Sequence, residues 1–155
     1  MQTRTLAILS ALVLAVVALP AAQASNPRLG TWRLKATDPA QPSNNVMTYE
    51  AFNGTGMKVT INALQADGSL TPQWGYTTMF DNKETPMTGS RSAETAAVRM
   101  ISDRTAEITY RRDGRITQQL TNVLSADGNT IGIIYMRSAE GKPDTVTFAT
   151  YERMK

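Results

Sequence analysis

Cysteine and histidine are both absent from this chain of 155 residues. Without them the protein cannot form a disulfide, a thiolate or imidazole metal site, or a nucleophile activated by histidine. Only carboxylate, lysine or tyrosine chemistry would remain for an enzyme. The acidic residues Glu84, Glu94 and Glu107 have no spacing that pairs them as acid and base. We therefore predict no catalytic residue, no metal and no cofactor, and we expect a protein that is not an enzyme.

Strong charge of either sign is also missing. Sixteen Lys and Arg residues face thirteen Asp and Glu residues, which leaves a formal charge of +3. So weak a field, with both signs interspersed, does not favour a nucleic acid partner. Arg111, Arg112 and Arg115 surround a turn that also contains Asp113. We interpret this segment as a solvated turn, and a site for an anion is the alternative.

Long apolar runs are missing everywhere except near the N-terminus. Residues 6–19 form an almost wholly apolar run that follows Arg4 and precedes Ala22-Gln23-Ala24. The run is shorter than the roughly 20 residues that cross a bilayer, and an A-x-A triplet after such a run is typical of a cleaved signal peptide. We predict a signal peptide over 1–24 and one mature domain over 25–155 that has no stable membrane insertion. An exported chain without cysteine is typical of a bacterial envelope, so we expect a periplasmic or secreted protein.

The mature chain is dominated by short segments in which apolar and polar residues alternate. Met57, Val59 and Ile61, for example, share one face of such a segment, which is the period of a β-strand. Turn signals such as Asp67-Gly68 and Asp113-Gly114 separate the segments. The pattern predicts an all-β fold, a single antiparallel up-and-down β-barrel of about 8–10 strands, because closure removes the unpaired edges of a long meander.

Aromatic residues make up only 6% of the chain, but several of them fall in the predicted strands. An expected strand over 73–80 puts Trp74, Tyr76 and Phe80 on one face, and later strands add Tyr110, Tyr135 and Phe148. These rings could line a cavity for a small hydrophobic or aromatic molecule. In a narrow barrel the same rings fill the core instead, which would favour an envelope interaction or structural module. Both interpretations are open at this point.

The first expected strand begins with Gly30-Thr31-Trp32. This triplet resembles the G-x-W motif of the lipocalins and of the broader calycin barrels. In that family the Trp closes one end of the barrel and an Arg of the last strand lies over its ring, and Arg153 stands in the matching position here. The resemblance implies a lipocalin-like barrel closed by Gly30, Trp32 and Arg153. The chain is also similar to small exported bacterial proteins of unassigned role that begin with G-T-W, a likeness that implies no activity.

Overall fold

The structure is a computed structural model that describes residues 26–155, so the predicted signal peptide over 1–24 lies outside the described residues. The described part has no helix long and apolar enough to cross a membrane. Its regular structure consists of strands. These are β1 (Gly30–Leu34), β2 (Asn45–Phe52), β3 (Gly56–Leu64), β4 (Leu70–Thr78), β5 (Thr85–Pro86), β6 (Thr95–Ser102), β7 (Thr105–Arg112), β8 (Arg115–Leu124), β9 (Thr130–Arg137) and β10 (Thr145–Arg153).

The strands form one antiparallel sheet in the order β4-β3-β2-β1-β10-β9-β8-β7-β6-β5. Strands that follow one another in sequence therefore pair with each other, except β4 and β5, which are the two edges of the sheet. β1 also pairs with β10, through the register Trp32↔Arg153. The sheet curls until β4 meets the segment around β5, where Gly75 and Thr88 exchange two backbone hydrogen bonds of 3.0 and 2.9 Å. The predicted up-and-down barrel is confirmed, with a short seam between β4 and β5.

The predicted Asp113-Gly114 hairpin joins β7 to β8. Both residues have a positive φ, 50° for Asp113 and 72° for Gly114. Two successive left-handed residues are what a two-residue type I′ turn requires, and this turn matches the natural twist of a hairpin. Asp and Gly adopt that conformation at low cost, so the local sequence itself specifies this connection.

Strand β4 ends earlier than the sequence predicts. It closes at Thr78, and the Thr78 hydroxyl accepts a hydrogen bond of 2.9 Å from the backbone N–H of Phe80. Phe80 takes a φ of 59° and leaves the strand, so the expected strand over 73–80 is wrong at its C-terminal end. Phe80 still packs partly against the core, but the alternation that placed it beside Trp74 and Tyr76 does not reach it.

The outer face of β9 and β10 carries exposed apolar side chains. Ile134 lies opposite Phe148 and Met136 lies opposite Val146, and all four are exposed. We define these four residues as the outer apolar patch. Beyond Leu34 and Lys35, β1 no longer pairs with β10, so the first half of β10 pairs with β9 alone.

Candidate ligand-binding cavity

A cavity of about 430 Å³ lies inside the barrel. Its volume falls within the range of roughly 300–1,000 Å³ that is usual for small-molecule sites. The apolar part of the wall comes from the inward positions of the strands, because side chains of a strand alternate between the two faces of the sheet. This part contains Met47, Val59, Ile61, Leu120 and Ile133. The barrel interior is therefore not completely filled by side chains.

All five tyrosines of the chain line this cavity. Trp74 and Tyr76 both meet the ring of Tyr110 edge to face, with ring centroids 6.1 and 5.9 Å apart. Such edge-to-face pairs hold the rings in fixed orientations and present flat apolar surface to a guest. The remaining tyrosines are Tyr49, Tyr135 and Tyr151.

The structure brings together four of the six residues predicted to bind a ligand, namely Trp74, Tyr76, Tyr110 and Tyr135. Phe80 is not part of the wall, since it lies beyond the end of β4. Phe148 borders the cavity only at its rim, since the residue is 77% exposed. Ala149 and Tyr151 point inward from β10, so the period of two turns Phe148 outward.

The hydroxyl groups in the cavity are held in their protonated form. Burial raises the pKa of Tyr76 to about 12 and raises the pKa of Tyr49, Tyr110, Tyr135 and Tyr151 as well. A low-dielectric surrounding disfavours the charged phenolate, which explains why the pKa of every one of these tyrosines is raised. The tyrosines are thus neutral hydrogen-bonding groups near neutral pH and poor bases. Among the described residues, the wall includes Arg137 at its exposed end but no Asp, Glu or Lys.

The opposite end of the barrel is closed by Trp32, which has no exposed surface. The guanidinium carbon of Arg153 lies 4.0 Å from the centroid of the Trp32 ring. Arg153 also donates hydrogen bonds of 2.7–2.9 Å to the carbonyl oxygens of Pro27, Leu29 and Gly128. A Cβ at Gly30 would lie 2.6 Å from Nη1 of Arg153. The cation thus holds the first and last described segments together over the Trp32 ring.

A buried series of side-chain hydrogen bonds begins at the same end of the barrel. Arg28 is only 1% exposed, and its Nη1 donates to Oδ1 of Asn122 while its Nη2 donates to the carbonyl oxygen of Arg104 at 2.5 Å. Asn122 in turn donates from Nδ2 to the hydroxyl oxygen of Tyr49 at 3.0 Å. Asn122 and Tyr49 line the cavity, so this series of hydrogen bonds connects the closed end of the barrel with the cavity.

Sequence reasoning missed Arg28, Tyr49 and Asn122 as members of the cavity or its support. Tyr49 stands two residues after Met47 in β2, and its inward face could have been read from that spacing. Asn122 stands between the inward residues Leu120 and Leu124, and a polar residue in such a row is a signal of a buried hydrogen bond. Arg28 lies outside any strand and gives no comparable signal.

The arginines around the β7–β8 hairpin are each paired with a carboxylate. Arg111 lies 3.1 Å from Glu84, Arg112 lies 3.9 Å from Glu94, and Arg115 lies 2.8 Å from Glu140. These pairs are at the surface, where an ion pair contributes little to stability. Their charges are already balanced, which agrees with a solvated turn and not with an anion site.

The fold of this protein is similar to that of a solved structure, although its sequence matches no known family. No protein-family model matches the chain, and no curated protein sequence matches it. Among solved structures, the chain is similar to the crystal structure of the wild-type fluorescent protein UnaG, with a TM-score of 0.56. The match covers 81% of this chain and 96% of that chain at 12% sequence identity. A likeness at this identity shows the fold alone. Together with the ten-stranded barrel, it confirms a lipocalin-like, calycin-type fold.

Proposed function

We propose that this protein binds a small hydrophobic or aromatic molecule inside its barrel. The observation that carries the proposal is the cavity of about 430 Å³, which is walled by Trp74 and five tyrosines. Flat rings offer a large contact area to an apolar guest, and phenol groups can orient a polar end of it. The absence of Asp, Glu and Lys from the described wall, together with protonated phenols, favours binding over catalysis.

The test is a titration of the purified mature protein with the neutral, polarity-sensitive dye Nile red. We expect saturable binding and a rise in dye emission. Trp74→Ala should weaken this binding about tenfold or more, because it removes a ring that packs on Tyr110 in the cavity wall. The matched control is Val123→Ala, which removes an apolar side chain from the exposed outer face of β8 and should leave the affinity unchanged. Absence of binding at high micromolar dye, or equal losses in both variants, would contradict the proposal.

The proposal includes an extracytoplasmic location. It is supported by the apolar run over 6–19 and the Ala22-Gln23-Ala24 triplet. We expect the protein recovered from a bacterial host's periplasm or medium to begin at Ser25. Mass spectrometry of the intact protein checks this, and a full-length chain confined to the cytoplasm would contradict it.

A second candidate function is that of an interaction module in the bacterial envelope. The outer apolar patch favours it, because its four side chains form two directly opposed pairs on the barrel surface. A partner on this patch should be lost with Phe148→Ser and retained with Trp74→Ala. Pull-downs with these two variants therefore separate this function from ligand binding.

A further inference from the structure

The donors and acceptors in the hydrogen bonds between Arg28, Asn122 and Tyr49 follow from the guanidinium group of Arg28. A guanidinium group has only donors, so Asn122 must turn its carbonyl oxygen toward Arg28 and its NH₂ group away from it. The NH₂ group then meets the Tyr49 hydroxyl oxygen at 3.0 Å. Tyr49 is therefore an acceptor in this bond, and its own proton points elsewhere.

Tyr49 is 6% exposed and lines the cavity. Within residues 26–155, no protein acceptor takes a hydrogen bond from its hydroxyl. A buried donor without a partner costs free energy, and a bound molecule that supplies an acceptor recovers it. Arg28, Asn122 and Tyr49 form a series of hydrogen bonds that begins at the Arg28 cation. Hydrogen bonds in series polarise one another in a low dielectric, so the cation makes the Tyr49 hydroxyl a stronger donor.

The hydroxyl of Tyr151, in the same cavity, differs from that of Tyr49 in its hydrogen bonding. The Tyr151 hydroxyl donates to Oδ1 of Asn45 at 3.1 Å, so its proton is already used. Of these two buried phenols in one cavity wall, Tyr49 has a proton free for a guest and Tyr151 does not.

We infer that Tyr49 is a specificity-determining donor of the cavity and that the ligand places an oxygen acceptor, a carbonyl or a carboxylate, against it. The inference rests on the proposed function and makes it more specific. Asn122 and Arg28 act as positioning residues, because they direct the Tyr49 proton into the cavity without themselves needing to touch the ligand.

The test uses four naphthalenes with the substituent at the same ring position: naphthoate, acetylnaphthalene, ethylnaphthalene and naphthylmethylamine. Calorimetry with the mature protein should show tighter binding of naphthoate or acetylnaphthalene than of ethylnaphthalene and naphthylmethylamine. A preference for naphthoate over acetylnaphthalene identifies the acceptor as an anion, and equal binding of the two identifies a neutral carbonyl as sufficient. Preference for the amine would overturn the inference.

Three variants make the test residue-specific. Tyr49→Phe should weaken binding of the preferred acceptor probe about tenfold, the scale of one hydrogen bond to a buried partner, and leave ethylnaphthalene within about twofold. Tyr151→Phe should leave the preference among the probes unchanged. Asn122→Asp supplies a carboxylate that accepts from both Arg28 and Tyr49, so it should remove the preference although the Tyr49 hydroxyl is still present. Thermal unfolding of each variant checks that it is folded.

The outcomes separate this inference from the proposal on which it rests. If Nile red binds in a Trp74-dependent manner but Tyr49→Phe behaves like Tyr151→Phe, the cavity binds ligands and the inference is wrong. It is equally wrong if Tyr49→Phe weakens ethylnaphthalene as much as the acceptor probes, because Tyr49 then contributes only packing. If neither the dye nor any naphthalene binds, both the proposed function and the inference fail.

Discussion

Replacing Trp32 with alanine should lower the free energy of unfolding by about 3–5 kcal/mol, the range for a large aromatic side chain removed from a core. Trp32 has no exposed surface, and its Nε1 donates a hydrogen bond of 2.9 Å to the carbonyl oxygen of Arg28. The variant would leave that carbonyl without its donor and Arg153 without the ring beneath it. Urea unfolding followed by far-ultraviolet circular dichroism measures the loss.

Trp74→Ala is the matched control for this prediction. It makes the same substitution at a side chain that is only partly buried and already borders the cavity. Because less surface is returned to water and an existing void is merely enlarged, we expect a clearly smaller loss of stability than for Trp32→Ala. If Trp74→Ala destabilises the protein as much as Trp32→Ala, the closed end of the barrel is not the critical packing site.

Replacing Gly89 with alanine should lower the free energy of unfolding by about 2–5 kcal/mol. Gly89 has a φ of 74°, which costs an L-residue about 1–2 kcal/mol. A Cβ there would also overlap the carbonyl oxygen of Gln73 and lie 3.1 Å from its carbonyl carbon. Overpacking against backbone adds about 1–3 kcal/mol. Thr88, the neighbour of Gly89, forms the seam with Gly75, so exchange of the Gly75 and Thr88 amides should accelerate.

Gly68→Ala isolates the contribution of the overlap. Gly68 has a φ of 85°, and a Cβ there would meet nothing within 4 Å. Its substitution should therefore cost only the backbone term of about 1–2 kcal/mol and leave the seam amides protected. Equal losses for Gly68→Ala and Gly89→Ala, measured by urea unfolding, would show that β4 and the β5 segment have room to separate without cost.

Much of the barrel could be predicted because its determinants are local. The alternation of Met57, Val59 and Ile61 with polar residues sets which face of β3 is buried, and Asp113-Gly114 sets the conformation of a whole hairpin. Neither requires knowledge of any distant residue. The number of strands and the antiparallel order follow from a succession of such local signals.

The site was predicted less well because its determinants are not local. Phe148 lies in a run whose two faces are both apolar in sequence, so only closure of the barrel decides that Tyr151 faces inward and Phe148 outward. Phe80 is not in the cavity wall because β4 ends at Thr78, where the backbone N–H of Phe80 donates a hydrogen bond to the Thr78 hydroxyl. Arg28 meets Asn122 across 94 positions of the chain, a separation over which no periodicity carries information.

The pairing of β1 with β10 has a consequence for the connectivity of the fold. The two ends of the described chain leave the barrel side by side, since the backbone N–H of Met154 donates to the carbonyl oxygen of Thr31 at 2.8 Å. The seam instead lies in the middle of the sequence, between β4 and β5. A circular permutant that joins the ends with a short linker and opens the segment 79–84 would therefore keep every strand pair and would have its new termini at the seam.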